Sequence, residues 1–301
     1  MNEIRIVNQI QEYDEMIGAE TLHPLVNVVD FSRLPPMRHI SVRRLFGYYA
    51  IYLKGPKYTE LHYGRNTYNY NEGALVFFAP GQVAGVEDDG KLYKMSHRVL
   101  MFHPDLLQGS YLQSMMKNYS YFSYDTNEAL FPSEDERKIF ISYLNMIESE
   151  LHKNDKHSIL IVIDYIKLIL DYCSRFYDRQ FDSRRVENKD ILVRFEKLMT
   201  DYYSSELSKK NGLLTVQYCA DKLCLSTNYF SDLIRRETGI SALKHIHKKT
   251  LEISKELLLD TSSSINGISE KIGFQYPQHF SKWFKSLDGC TPNEYRKKNK
   301  V

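Results

Sequence analysis

Between residues 213 and 290 one short design is written twice, and this repetition restricts the fold of the back half more than any other feature. In the first copy Thr215 stands where a helix N-cap belongs and an apolar period runs to Leu223. Cys224-Leu225-Ser226 leaves room only for a tight connection; Ser226 or Thr227 can cap a second helix, which runs to Glu237 and is stopped by Gly239. In the second copy Ser264 caps a helix to Ile272, Gly273 supplies the turn, and another helix spans Tyr276 to Leu287 before Gly289. Each copy is a helix, a short turn and a second helix. A helical pattern from Ser241 to Leu259 joins them, with Leu243, Ile246, Leu251, Ile253, Leu257 and Leu258 able to serve both cores. Ile191, Leu192, Phe195, Leu198, Met199 and Tyr202 mark one more amphipathic helix in front.

The front half has a different texture. From residue 25 to about residue 130 it holds most of the Tyr, Gly and Pro, in short runs separated by turn residues. Gly47–Lys54 and Leu75–Ala79 have the length and composition of strands. Asn71-Glu72-Gly73, Pro80-Gly81 and Asp88-Asp89-Gly90 provide turns. Strands at this spacing predict a β-sandwich or small barrel. A capping box at Ser133 and Glu136 then opens a helix with Ile139, Phe140, Tyr143, Leu144, Ile147 and Leu151 in register. A second helix, Ser158 to Phe176, is apolar around most of its circumference and needs a partner to cover it. Asp178 to Asn188 is polar and carries no apolar period, which predicts a domain boundary. The expected division is a β-rich domain over residues 1–185, with a helical pair at 134–178, and an all-α domain over residues 186–301.

Charge follows the same division. The 301 residues carry 40 Lys plus Arg and 38 Asp plus Glu, so the net +2 selects no partner. Residues 1–185 hold 21 basic and 24 acidic side chains, and residues 186–301 hold 19 and 14, leaving +5 in the back half to meet a polyanion. Ile159 to Leu170, interrupted by Asp164 and Lys167, is too short and too polar to span a bilayer. The acidic first residues lack the layout of a signal peptide. Four cysteines without metal spacing make no disulfide framework, so the expected location is the cytoplasm.

Leu214–Ser226, Arg235–Ser241, Lys255–Leu259 and the spaced motif Ile-Gly-Phe-x4-His-Phe-Ser-Lys-Trp-Phe-Lys-x3-Gly-Cys-Thr-Pro-x2-Tyr-Arg at 272–296 resemble the AraC family of transcriptional regulators. The resemblance covers residues 190–298. More loosely, residues 71–82 are similar to a strand and turn of that family's cupin-like sensor domains. The implied fold is α+β: a cupin-like front domain with a helical pair, then two helix-turn-helix units joined by a long helix. The implied partners are operator DNA, RNA polymerase, a small-molecule effector and a second copy of the chain, and activation is the commoner output.

In a helix-turn-helix, one face of the second helix packs inward and the other meets base edges in the major groove. Tyr229, Phe230, Leu233 and Ile234 are the inward set of the first unit, leaving Asn228, Ser231, Asp232 and Arg235 outside. In the second, Phe280, Trp283 and Phe284 are inward, and Gln278, His279, Ser281, Lys282 and Lys285 are outward. Two such helices on one rigid connector would enter successive grooves about 34 Å apart. Asn228 and Gln278 suit bidentate pairing with adenine. Asp232 either accepts from cytosine N4 or pairs with a nearby basic residue and excludes wrong sequences. Lys282, Lys285, Arg235, Arg236, Arg296, Lys297 and Lys298 are the phosphate candidates. In the front half Arg43, Tyr48, Tyr52, His62 and Phe78 are candidates for an effector pocket, with core packing as the competing role. His62, His97 and His103 form no ligand spacing, so neither a metal nor a catalytic cofactor is expected. Two further functions compete: a DNA-binding regulator without effector, and a cupin-type enzyme or methyl-accepting repair protein fused to a DNA-binding module. The single cysteine before residue 186, Cys173, speaks against the repair protein.

Overall fold

The computed structural model describes residues 4–38, 43–55, 61–63, 66–68, 73–86, 90–124, 128–183, 185–205, 207–260 and 263–299. The chain divides into two compact units, residues 1–183 and 184–301.

The first unit is built on strands β1 (Ile4–Val7), β2 (Val26–Asp30), β3 (Met37–Arg38), β4 (Arg43–Phe46), β5 (Tyr49–Leu53), β6 (Leu61–Tyr63), β7 (Asn66–Tyr68), β8 (Leu75–Phe78), β9 (Val83–Val86), β10 (Leu92–Tyr93) and β11 (Arg98–Phe102). One sheet has the order β1-β4-β9-β6-β7, a second β2-β11-β5-β8, and β10 pairs with β3. The two strands read from sequence are neighbours, with Ala50 opposite Phe78 and Leu53 opposite Leu75. All pairings are antiparallel except that of β1 with β4.

Both main sheets contribute to one core: Val7, Phe46 and Ala84 from the first, and Val29, Ala50, Tyr52, Val76, Phe78, Val99 and Met101 from the second. These strands, however, do not close into a barrel among the described residues. The pattern of the inner strands explains where the rest of the core sits. All four residues of β8 are buried, because alternate side chains face two different apolar layers. Val76 and Phe78 face the shared core, whereas Phe77 meets Tyr121, Phe122 and Tyr177 on the far side. Gly73 and Gly90 sit in left-handed turns; Asn71, Glu72, Asp88 and Asp89, read as turn residues beside them, lie outside the described residues.

Between β1 and β2 runs α1 (Ile10–Ile17); α2 (Tyr111–Met115) follows the last strand. The helical pair comes next: α3 (Glu134–Lys153) and α4 (Ser158–Ser183). The Ser133–Glu136 capping box is formed in both directions. Helix α4 runs past Phe176, the end expected for it. Tyr177, Gln180 and Phe181 are buried, and the Gln180 amide exchanges hydrogen bonds with the backbone of Ala129 and Phe131. Arg179 fastens the same stretch to Glu136 at 2.7 Å. The segment that looked like a polar linker is therefore helical up to Ser183, anchored by polar side chains that carry no hydropathic period.

The second unit is helical throughout: α5 (Arg185–Ser204), α6 (Leu207–Asn211), α7 (Val216–Lys222), α8 (Thr227–Thr238), α9 (Ala242–Leu259), α10 (Ile265–Ile272), α11 (Pro277–Asp288) and α12 (Pro292–Lys298). Among the described residues no helix of the chain is long and apolar enough to cross a membrane.

Helix α9 packs Leu251, Ile253, Leu257 and Leu258 on the second core and buries Ile246, as expected, but its most deeply buried stripe holds more than these residues. The buried positions are Ala242, Ile246, Thr250, Ser254 and Leu258, one every four residues, while Leu243 is exposed. Two of the five are hydroxyl residues, invisible to a hydrophobic pattern. They are buried without penalty because Thr250 donates to the carbonyl of Ile246, and Ser254 to that of Thr250. Thr250 also meets the Tyr203 hydroxyl at 2.7 Å.

Candidate DNA-binding surface

The first pair of helices is held by its caps. Thr215 accepts from the backbone N–H of Tyr218 at 3.1 Å to start α7. Ser226, rather than Thr227, accepts from Tyr229 at 3.2 Å to start α8. Between them Cys224 takes a left-handed conformation (φ 58°), and Gly239, also left-handed, ends α8 by donating to the carbonyl of Arg235. With its ends fixed, α8 buries Tyr229, Phe230, Leu233 and Ile234, Phe230 meeting Phe195 edge-on at 5.0 Å. The opposite stripe carries Asn228 and Arg235, both exposed, with Ser231 and Asp232 half-buried. Ser231 donates its hydroxyl to the carbonyl of Thr227, so toward a ligand it is an acceptor.

The second pair repeats this with different residues. Ser264 caps α10 through the N–H of Gly267, Gly273 ends it at φ 103°, and Pro277 opens α11 in the first turn, where no donor is lost. Phe280 and Phe284 are fully buried. Gln278, His279, Lys282 and Lys285 are exposed and Ser281 is half-buried, all on the other side of the helix. Trp283 is only partly buried: its ring lies against Phe274 and Phe280, with the imidazole of His247 edge-on at 6.1 Å. It is thus the cover of the second core rather than its centre.

Two features of this surface were not legible in the sequence. Arg296, one of the phosphate candidates, is committed inside the unit. Its guanidinium donates to the carbonyl of Leu258 at 3.0 Å and to that of Ser263 at 2.8 Å, closing the C-terminal end of α9 onto α12. Asp288, at the end of α11, accepts from Lys255 at 2.5 Å and from the Cys290 thiol at 3.1 Å. The Lys255 ammonium holds the Asp288 carboxyl below the usual carboxylate range, and the same carboxylate pushes the Cys290 thiol up. Lys255 is thereby occupied in fixing the C-terminal end of α11. Arg235, Arg236, Lys282, Lys285, Lys297 and Lys298 are exposed.

In the first unit Tyr48, Tyr52 and Phe78 are brought together in the core. Tyr52 meets Phe78 edge-on at 5.7 Å, and Tyr48 lies 5.5 Å from Phe46, which in turn touches Phe78. The Tyr52 hydroxyl donates to that of Tyr13 at 3.0 Å. The Tyr48 hydroxyl is buried and meets no partner among the described residues. Arg43 is half-buried on β4 of the other sheet. The His62 backbone pairs in β6, and its side chain lies outside the described residues. No group of three or more His, Cys, Asp or Glu side chains able to hold a metal occurs among the described residues.

Residues 219–298 match the family of helix-turn-helix domains. Among curated relatives, the uncharacterized HTH-type transcriptional regulator YtdP of Bacillus subtilis is 31% identical over 87 residues, 29% of this chain and 11% of that protein. The arabinose operon regulatory protein of Escherichia coli is 23% identical over 231 residues, 74% of this chain and 72% of that protein. The match thus spans about a tenth of the first relative and nearly three quarters of the second. Among solved structures, the C-terminal domain of AraT, a response regulator from Geobacillus stearothermophilus, is 32% identical, covers 37% of this chain and 87% of that chain, and has a TM-score of 0.33. Residues 219–298, which include α8 to α12, thus form a helix-turn-helix domain. More narrowly, that domain is of the AraC type.

Proposed function

We propose that the chain is a sequence-specific transcriptional regulator whose two recognition helices, α8 and α11, read successive major grooves of operator DNA. One observation carries this reading. Both helices bury an apolar face, aromatic and aliphatic in α8 and aromatic in α11, and turn a polar, cation-bearing face outward, on two copies of one motif within a single compact unit. Asn228, Ser231 and Asp232 on α8, and Gln278, His279, Ser281 and Lys282 on α11, read bases; Arg235 and Lys285 hold phosphates. The test is a competition assay with full-length protein. Operator fragments recovered from a genome should be retained against an excess of random DNA, and Gln278→Ala should weaken the preference; retention that ignores sequence removes the reading.

The front unit, on this account, is a cupin-like sensor and dimerisation module. The polar groups inside its aromatic core, the Tyr48 hydroxyl and the Tyr13–Tyr52 pair, are where a small effector would be recognised, with Arg43 and His62 on the opposite sheet. For the dimer, α4 supplies the support. Its core face packs on α3 and the sheet, yet Leu160 remains 65% exposed and Leu168 39% exposed on the outer face, next to Ile161. A second copy covers this stripe, and effector binding shifts the population of dimers able to span paired half-sites, activating transcription in the cytoplasm through RNA polymerase. Sedimentation of the L160E/L168E variant should give a monomer where the parent gives a dimer.

A further inference from the structure

Two polypeptide links join the DNA-reading halves of the second unit, and only one of them was expected. Helix α9 is the first. The second is α6, which precedes α7 in sequence yet packs against α10 of the other half. The contact combines one side-chain hydrogen bond with a close approach of the two backbones. Ser208, fully buried, donates its hydroxyl to the carbonyl of Lys271 at 2.6 Å, in the last turn of α10. Two residues on, Gly273 lies so close to the α6 terminus that a Cβ on it would stand 2.5 Å from the Gly212 carbonyl oxygen and 2.9 Å from that of Ser208. The Gly212 carbonyl is itself fixed by the Tyr202 hydroxyl at 2.9 Å, and Tyr202 belongs to the core of the first half. Gly273 is also the turn that aims α11. A chain of four residues, Tyr202–Gly212–Gly273 with Ser208 alongside, thus runs from the core under α8 to the pivot of α11.

We infer that this contact is a spacer: Ser208, Gly212 and Gly273 fix the separation of α8 and α11 and so determine which distance between the two halves of an operator the protein accepts. The physical reason is that one helix, held at one end by each subdomain, leaves a bending and twisting freedom about its own axis, whereas a second contact off that axis removes it. The residues act through the recognition helices and touch no base; they are positioning residues. The inference rests on the proposed DNA-reading function, and its test separates the two.

Full-length protein and the Ser208→Ala variant are compared on operators carrying the selected spacing and on operators with one base pair inserted or deleted between the two blocks. The ratio of affinities should fall by about fivefold in the variant, the equilibrium weight of one ordinary hydrogen bond, with base preference within each block unchanged. Thr215→Ala, which removes the α7 cap hydrogen bond inside the first half only, serves as the control for general loss of stability and should leave the ratio alone. In parallel, spin labels at Arg235 and Lys285, with Cys224 and Cys290 replaced by serine, report the distance distribution between the helices without DNA. It should be narrow in the parent and broad with Ser208→Ala. Equal spacing ratios, or equally narrow distributions, overturn the inference while leaving specific binding intact. Loss of all sequence preference in the parent would overturn the proposed function instead, and the label distances would still decide the role of the contact.

Discussion

At the scale of single residues, the recognition surface is defined by what each side chain has left to give. Asn228 and Gln278 are exposed on their helices and carry both a donor and an acceptor, the combination that matches an adenine edge. Asn228→Ala and Gln278→Ala should each weaken specific binding by about 1–3 kcal/mol and leave binding to random DNA nearly unchanged. Equal losses on both DNAs in a fluorescence titration would remove them from base readout. Lys285 offers charge without direction. Lys285→Ala should weaken both kinds of binding and reduce the slope of log K against log salt by about one; an unaltered slope takes it off the phosphate contacts. Arg296 is the instructive contrast, because its guanidinium already serves two carbonyls. Arg296→Ala should cost about 2 kcal/mol of stability in urea unfolding, without changing the salt slope. A changed slope with unchanged stability would return it to the phosphates.

At the scale of elements, what was legible in the sequence is what local rules decide. The boundaries of α7, α8, α10 and α11 follow from Thr215, Ser226, Gly239, Ser264, Gly273 and Gly289, all of which cap or stop as their chemistry requires. Strands β5 and β8 announced themselves by composition. Elements that depend on tertiary partners did not. The end of α4 is held by Gln180 and Arg179, polar side chains whose partners lie about 50 residues away in sequence. The inner stripe of α9 includes Thr250 and Ser254, chosen for small size and a self-satisfied hydroxyl rather than for hydrophobicity. The buried faces of α8 and α11 were readable, apart from the half-exposed Trp283, because amphipathic periodicity sorts inside from outside; the occupation of Arg296 and Lys255 was not, since both are ordinary surface cations until the fold supplies their acceptors.

The whole molecule adds a dependence that no element has alone. Asp14 on α1 is buried, and burial raises its carboxyl to about 6 even though Thr21 and Asn27 both donate to it at 2.8 Å. The unfolded chain releases this proton near the ordinary aspartate value of 3.8 and the folded chain near 6. Between those values the folded state binds more protons, so this group's contribution favours folding at low pH and is lost as pH rises through the window. Asp14→Asn should flatten that part of the pH–stability profile of the front unit and raise stability at neutral pH; a steeper decline in the variant would contradict the assignment. The central claim concerns the other unit, that two helices in one compact domain read two blocks of DNA together. The most direct measurement is selection of binding sites from random DNA by the full-length protein. The account predicts two conserved blocks whose centres lie about one helical turn apart, roughly 34 Å, with Asn228→Ala degrading one block and Gln278→Ala the other. Recovery of a single block, degraded alike by both substitutions, would contradict it.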